Sequence, residues 1–114
     1  MEPGESKIIK DKQGRDTIII FPDVWPALPI EAFHNGITVG KLSFKEIGST
    51  VFLNEIYINE KFKSSGIAKE LIKSTRNKSI SFKVSKELVT NLAILGFIEH
   101  CISENWLPDS VLKE

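Results

Sequence analysis

Asn54-Glu55-Ile56-Tyr57-Ile58 is followed by the charged loop Asn59-Glu60-Lys61-Phe62, then by Lys63-Ser64-Ser65-Gly66-Ile67-Ala68 and Lys69-Glu70-Leu71-Ile72-Lys73-Ser74. The first segment reads as a strand. The last has apolar residues at helical spacing, with Ile67, Leu71 and Thr75 on one face beside Ala68 and Ile72. A strand that passes through a glycine-containing turn into a helix presents an anion site. The first-turn N–H groups of a helix have no intrahelical partner, and the helix dipole favours negative charge beside them. Gly66 permits close approach of a ligand to the backbone, and Lys63 and Lys69 add positive charge. The segment therefore points to a phosphate-bearing ligand, against the simpler reading of a plain loop-to-helix turn.

The surrounding charge fits. Residues 59–86 hold eight Lys or Arg against Glu60 and Glu70, although the whole chain is neutral. A solvated helix face would look the same by charge alone. The segment has one arginine and few interleaved aromatics, which argues against nucleic acid as the partner. A length of 114 residues suits one domain, 1–114. No apolar run reaches the length of a membrane span, and Met1-Glu2-Pro3-Gly4-Glu5 carries no apolar signal region. The single cysteine, Cys101, fits a reducing, cytoplasmic setting. With only His34 and His100 beside it, no metal site is expected.

Working outward, residues 1–16 are polar and read as a loose start or frayed hairpin. Thr17–Phe21 is β-branched and reads as a strand. Pro22, Pro26 and Pro29 keep the next stretch irregular. Ile30–Phe33, the turn His34-Asn35-Gly36 and Ile37–Phe44 form a hairpin. Val51–Ile58 is the longest strand, with Phe52, Asn54, Ile56 and Ile58 on one face and Leu53, Glu55 and Tyr57 on the other. After the first helix, Ser79–Val84 alternates as a strand. Ser85 is a candidate N-cap for a second helix ending at Gly96, and Phe97–Ile102 reads as a last strand. The expected class is α+β: a central, mostly antiparallel mixed sheet with helices packed on its faces in three layers. Short exposed sheet edges make a homodimer reasonable.

On two of these places the chain resembles the GCN5-related N-acetyltransferase (GNAT) family, over roughly residues 30–102. Lys63-Ser64-Ser65-Gly66-Ile67-Ala68 is similar to the family's acetyl-CoA motif, in which Gln or Arg is followed by two residues, Gly, one residue, and Gly or Ala. Lys63 stands where Gln or Arg is usual. Leu95-Gly96-Phe97 resembles the family's step from a helix into its late strand. The resemblance implies acetyl-CoA as cofactor. Its pantetheine arm would run along Ile56, Tyr57 and Ile58. Its pyrophosphate would sit on N–H groups from Ser64, Ser65, Gly66, Ile67 and Ala68, flanked by Lys63 and Lys69. It implies an N-acetyltransferase that passes the acetyl group directly to an amine, on a small molecule or a protein, with Glu55 at the position of the family's general base.

The chain also departs from the family. Counted back from Gly96, Leu92 stands at the usual acid tyrosine and Ser85 at a usual asparagine. Residues 1–29 offer one strand and a proline-rich stretch in place of the family's strand and two helices; Trp25 and Leu28 are candidates either for an acceptor surface or for plugging the core. A catalytically silent CoA-binding module that regulates a partner protein is therefore the alternative. A small α+β interaction protein without a cofactor is the third reading.

Overall fold

The computed structural model describes residues 4–78 and 80–113. Five strands follow one another: β1 (Ser6–Lys10), β2 (Asp16–Ile20), β3 (Ile30–His34), β4 (Ile37–Ile47) and β5 (Thr50–Ile58). Helix α1 (Ile67–Asn77), the two-residue strand β6 (Lys83–Val84) and helix α2 (Leu92–Ser103) complete the order. The sheet runs β1-β2-β3-β4-β5-β6, antiparallel throughout except for the parallel pair β5–β6. A mixed, mostly antiparallel α+β sheet is thus present. Among the described residues no helix is long and apolar enough to cross a membrane.

The local chemistry explains the strands. Ile8, Ile18 and Ile20 alternate with Ile9, Thr17 and Ile19, and the polar start of the chain pairs as a hairpin because Gly14 supplies a positive φ in its turn. Asn35 and Gly36 both have positive φ, the geometry a two-residue hairpin requires. The buried face carries Ile19, Phe21, Ile30, Ala32, Leu42 and Leu53, and α1 packs on it through Ile67, Leu71 and Ile72. Gly40 makes that approach possible: a β-carbon there would lie 3.0 Å from Ile67 Cγ2, 3.1 Å from Ile58 Cδ1 and 3.2 Å from Leu71 Cδ1. The opposite face carries Ile8, Ile18, Ile20, Lys41, Ser43, Glu55 and Tyr57, each half-buried or exposed. Helices packed on both faces were expected from the sequence; the open face means two layers over β1–β5.

Three further expectations are corrected. First, the two faces of β5 are not a simple alternation. Ser43 pairs with Glu55 but Phe44 pairs with Leu53, so Asn54 is an extra, bulged residue. Leu53 therefore shares the buried face with Ile56 and Ile58, while Glu55 and Tyr57 turn outward. Second, Ser79–Val84 reduces to Lys83–Val84 as strand, Ser79 itself lying outside the described residues. Third, Gly96 does not end the second helix, and Phe97–Ile102 is not a strand. Ser85 is not the cap: α2 is capped by Asn91, whose side-chain oxygen accepts from Ala93 N (3.0 Å) and Ile94 N (3.2 Å), and it runs through Gly96 to Ser103. The physical reason is the spacing Ile94-Ile98-Cys101, which buries one helical face.

A prediction follows from Gly96. It is exposed, lies in the middle of α2, and a β-carbon there meets nothing within 4 Å. Gly96→Ala is expected to stabilise the fold by about 0.5–1 kcal/mol, because alanine loses less backbone entropy in a helix. Urea unfolding checks this; a loss of stability would instead put Gly96 at a helix end with left-handed backbone.

Candidate functional site

β5 and β6 pair only at Phe52–Lys83 and Leu53–Val84, extended by a hydrogen bond from Ser85 N to Leu53 O (2.9 Å). Beyond that point no strand among the described residues pairs with this edge of β5. The parted strands open into a cleft of about 1320 Å³ lined by Ile56–Asn59, Lys63–Lys69, the β3–β4 turn and the α2 side chains Ile94, Phe97 and His100. Trp106, from the segment after α2, also lines it.

The floor of the cleft is the turn into α1. Ser64 and Gly66 both adopt positive φ, at 60° and 90°. Ser65 is buried and its hydroxyl donates to Phe62 O. Gly66 is the N-cap of α1, and no side chain caps the helix, so its first-turn amides are left for another partner. Ile67 is also buried. Ser65 and Ile67 thus offer only their backbone to a ligand, whereas Lys63, Ser64 and Lys69 offer side chains. Four lysines line the cleft (Lys12, Lys61, Lys63 and Lys69) against the single carboxylate of Glu60, which lies 3.2 Å from Lys63 Nζ. The arrangement can hold a polyanion at the turn and an extended chain along β5.

Glu55 lies apart from this cleft. Its side chain is half-exposed on the open face, accepts from Ser43 Oγ at 2.9 Å and lies 3.6 Å from Lys41 Nζ. The bulge at Asn54 is the cause, since it turns Glu55 away from the face of Leu53. Leu92 begins α2 largely exposed, and Ser85 Oγ donates to Glu87 at 2.6 Å, lowering that carboxyl's pKa. Of the rings that α2 presents to the cleft, Phe97 has no hydroxyl to donate and the His100 imidazole packs edge-on to Trp106 at 5.4 Å. Cys101 is buried, which pushes its thiol up to about 11 and leaves it inert. Trp25 is half-buried, packing edge-on to Phe44 at 5.2 Å against the core, while Leu28 is exposed. Among the described residues no group of His, Cys, Asp or Glu side chains is disposed to hold a metal ion.

No family model, curated protein or solved structure matches the chain.

Sequence reasoning missed how the N-terminal hairpin takes part. The β1–β2 turn folds over the segment 60–66: Lys12 N donates to Ser65 O (2.9 Å), Arg15 Nη1 donates to Lys61 O (3.2 Å), and the Arg15 guanidinium lies 3.8 Å above the Phe62 ring. Asp11 holds the turn itself, accepting from Gln13 N (3.0 Å), Arg15 N (2.8 Å) and Arg15 Nε (2.6 Å). The local signal was Asp11 with Gly14 between two β-branched runs; the partner 46 residues away had none. Burial pushes the Asp11 carboxyl up, but the Arg15 hydrogen bonds and charge outweigh it and hold it below its ordinary 3.8.

With its folded pKa below its unfolded one, Asp11 stabilises the fold above the unfolded value, and this contribution is lost as pH falls through the folded value. Asp11→Asn is expected to cost about 2 kcal/mol at neutral pH, by analogy with breaking a partly buried charge-assisted network. The variant should also lose the corresponding part of the acid sensitivity below about pH 4. Thermal melts of both proteins across pH check this; parallel pH profiles would contradict it.

Proposed function

We propose that this chain is an acetyl-CoA-binding domain, with the pyrophosphate on the Ser64–Ala68 turn and the pantetheine arm along Ile56–Ile58. One observation carries the reading: the unpaired edge of β5 and the uncapped, lysine-flanked start of α1 face the same cleft. An extended amide chain adds to a free strand edge by main-chain hydrogen bonds, and a diphosphate matches the open amides at its end. The similarity of Lys63–Ala68 to the GNAT acetyl-CoA motif supports the same assignment. Calorimetric titration with acetyl-CoA tests it: saturable binding at micromolar affinity is expected, and absence of binding would sink it.

A second reading, acetyl transfer to an amine, rests on the family resemblance alone, which sets Glu55 at the position of the general base. It lies one residue past the bulge where β5 leaves β6, half-exposed on the open face. A base for an amine must lie within hydrogen-bond reach of it, and Glu55 stands outside the cleft proposed for the cofactor, so the geometry favours binding over transfer. Release of CoA thiol in the presence of amines separates transfer from binding alone, in which case the domain serves a partner protein.

A further inference from the structure

The β1–β2 turn carries two cations beside the binding turn, and they are used differently. Arg15 is committed to structure, through Asp11, Lys61 O, the Phe62 ring and Gln13 Oε1. Asp11 is committed in turn to Arg15 and Gln13 N, so it does not neutralise its neighbour. Lys12 has no carboxylate partner among the described residues. Its amide is fixed to Ser65 O, and its side chain runs along Gly66, with Cγ 3.8 Å and Cε 3.7 Å from the position of a Gly66 β-carbon. Its ammonium, one bond beyond Cε, is thereby held at the cleft by two independent constraints: the main-chain bond and the packing of its stem against a residue that has no side chain.

We infer that Lys12 is an anion-contacting residue of the cleft, supplied by the N-terminal hairpin, with the Asp11–Arg15 pair as its positioning device. The ligand class is a phosphate ester or diphosphate, whose charge Lys12 meets together with Lys63 and Lys69, which line the same cleft. The inference rests on the acetyl-CoA reading above. It adds that residues 11–15, far from the binding turn in sequence, set affinity for the ligand's charged end.

The test is titration of acetyl-CoA into the wild-type chain, Lys12→Met and Lys12→Arg at several salt concentrations, with a thermal melt of each. Methionine keeps the aliphatic stem and removes the charge. Lys12→Met is expected to bind about 10-fold more weakly at low salt, as for loss of one charge-assisted hydrogen bond. Its affinity should also depend less on salt, with an unchanged melting temperature, and Lys12→Arg should restore binding. Equal affinity and equal salt dependence for wild type and Lys12→Met would overturn the inference and leave the cofactor reading standing. Weaker binding with an unaltered salt dependence, and no rescue by arginine, would also overturn it, because that pattern reports packing rather than charge. No binding by the wild-type chain would overturn both.

Discussion

Gly66→Glu is expected to weaken acetyl-CoA binding roughly 100-fold or more, equivalent to about 2.7 kcal/mol or more. Two effects combine. Gly66 has φ of 90°, a conformation that any side chain disfavours, at about 1–2 kcal/mol. The introduced carboxylate would also stand where the diphosphate is proposed to lie, opposing the field of the helix terminus. Crowding contributes little, since a β-carbon there meets only the Lys12 stem at 3.7–3.8 Å. Gly66→Ala separates the two effects: it carries the backbone strain without the charge, so it should lower the melting temperature more than it lowers affinity. Calorimetric titration of both variants decides the matter, and wild-type affinity in Gly66→Glu would remove this turn from the site.

Leu71→Ala is expected to lower the unfolding free energy by about 3 kcal/mol, within the range for fully buried leucines. Leu71 has no exposed surface and stands on the middle of α1, over the Gly40 notch in β4. The sheet cannot collapse into the vacated space without moving β4, so the cavity remains. For a domain whose total stability is of order 5–15 kcal/mol this is a large fraction. Chemical denaturation measures it directly. A loss under about 1 kcal/mol would show that α1 does not seat on the sheet at Gly40. Because α1 begins at the binding turn, the same variant should loosen the site before it unfolds the rest.

The parts of the fold legible in the sequence are those fixed by neighbours in the chain. Asn35-Gly36 dictates its hairpin through two positive φ values, and α1 announces itself by Ile67, Leu71 and Ile72 at helical spacing. What was not legible depends on distant partners or on a choice between periods. Phe97–Ile102 is a six-residue segment with Glu99 and His100 between apolar residues, too short for its period to separate strand from helix. Taking Gly96 as a stop selected the strand, whereas the cap at Asn91 and the burial of Ile98 and Cys101 select the helix. The bulge at Asn54 exists only in the register between β4 and β5, so no inspection of β5 alone could show that Glu55 turns from the face of Leu53. The ten residues assigned to a cofactor from the turn and the preceding strand do line one cleft, but their buttress of Asp11, Lys12 and Arg15 was hidden in a stretch read as a loose start.

The clasp between the first turn of the chain and residues 61–65 also bears on the order of folding. It closes a loop of 46 residues between Arg15 and Lys61, a long separation for a chain this short. Hairpin contacts such as β3–β4 are local and form early, whereas this clasp must wait until the intervening strands are aligned. The cleft is then among the last regions to acquire its final shape, and the amides that shape it should be among the first to exchange with solvent in the folded protein.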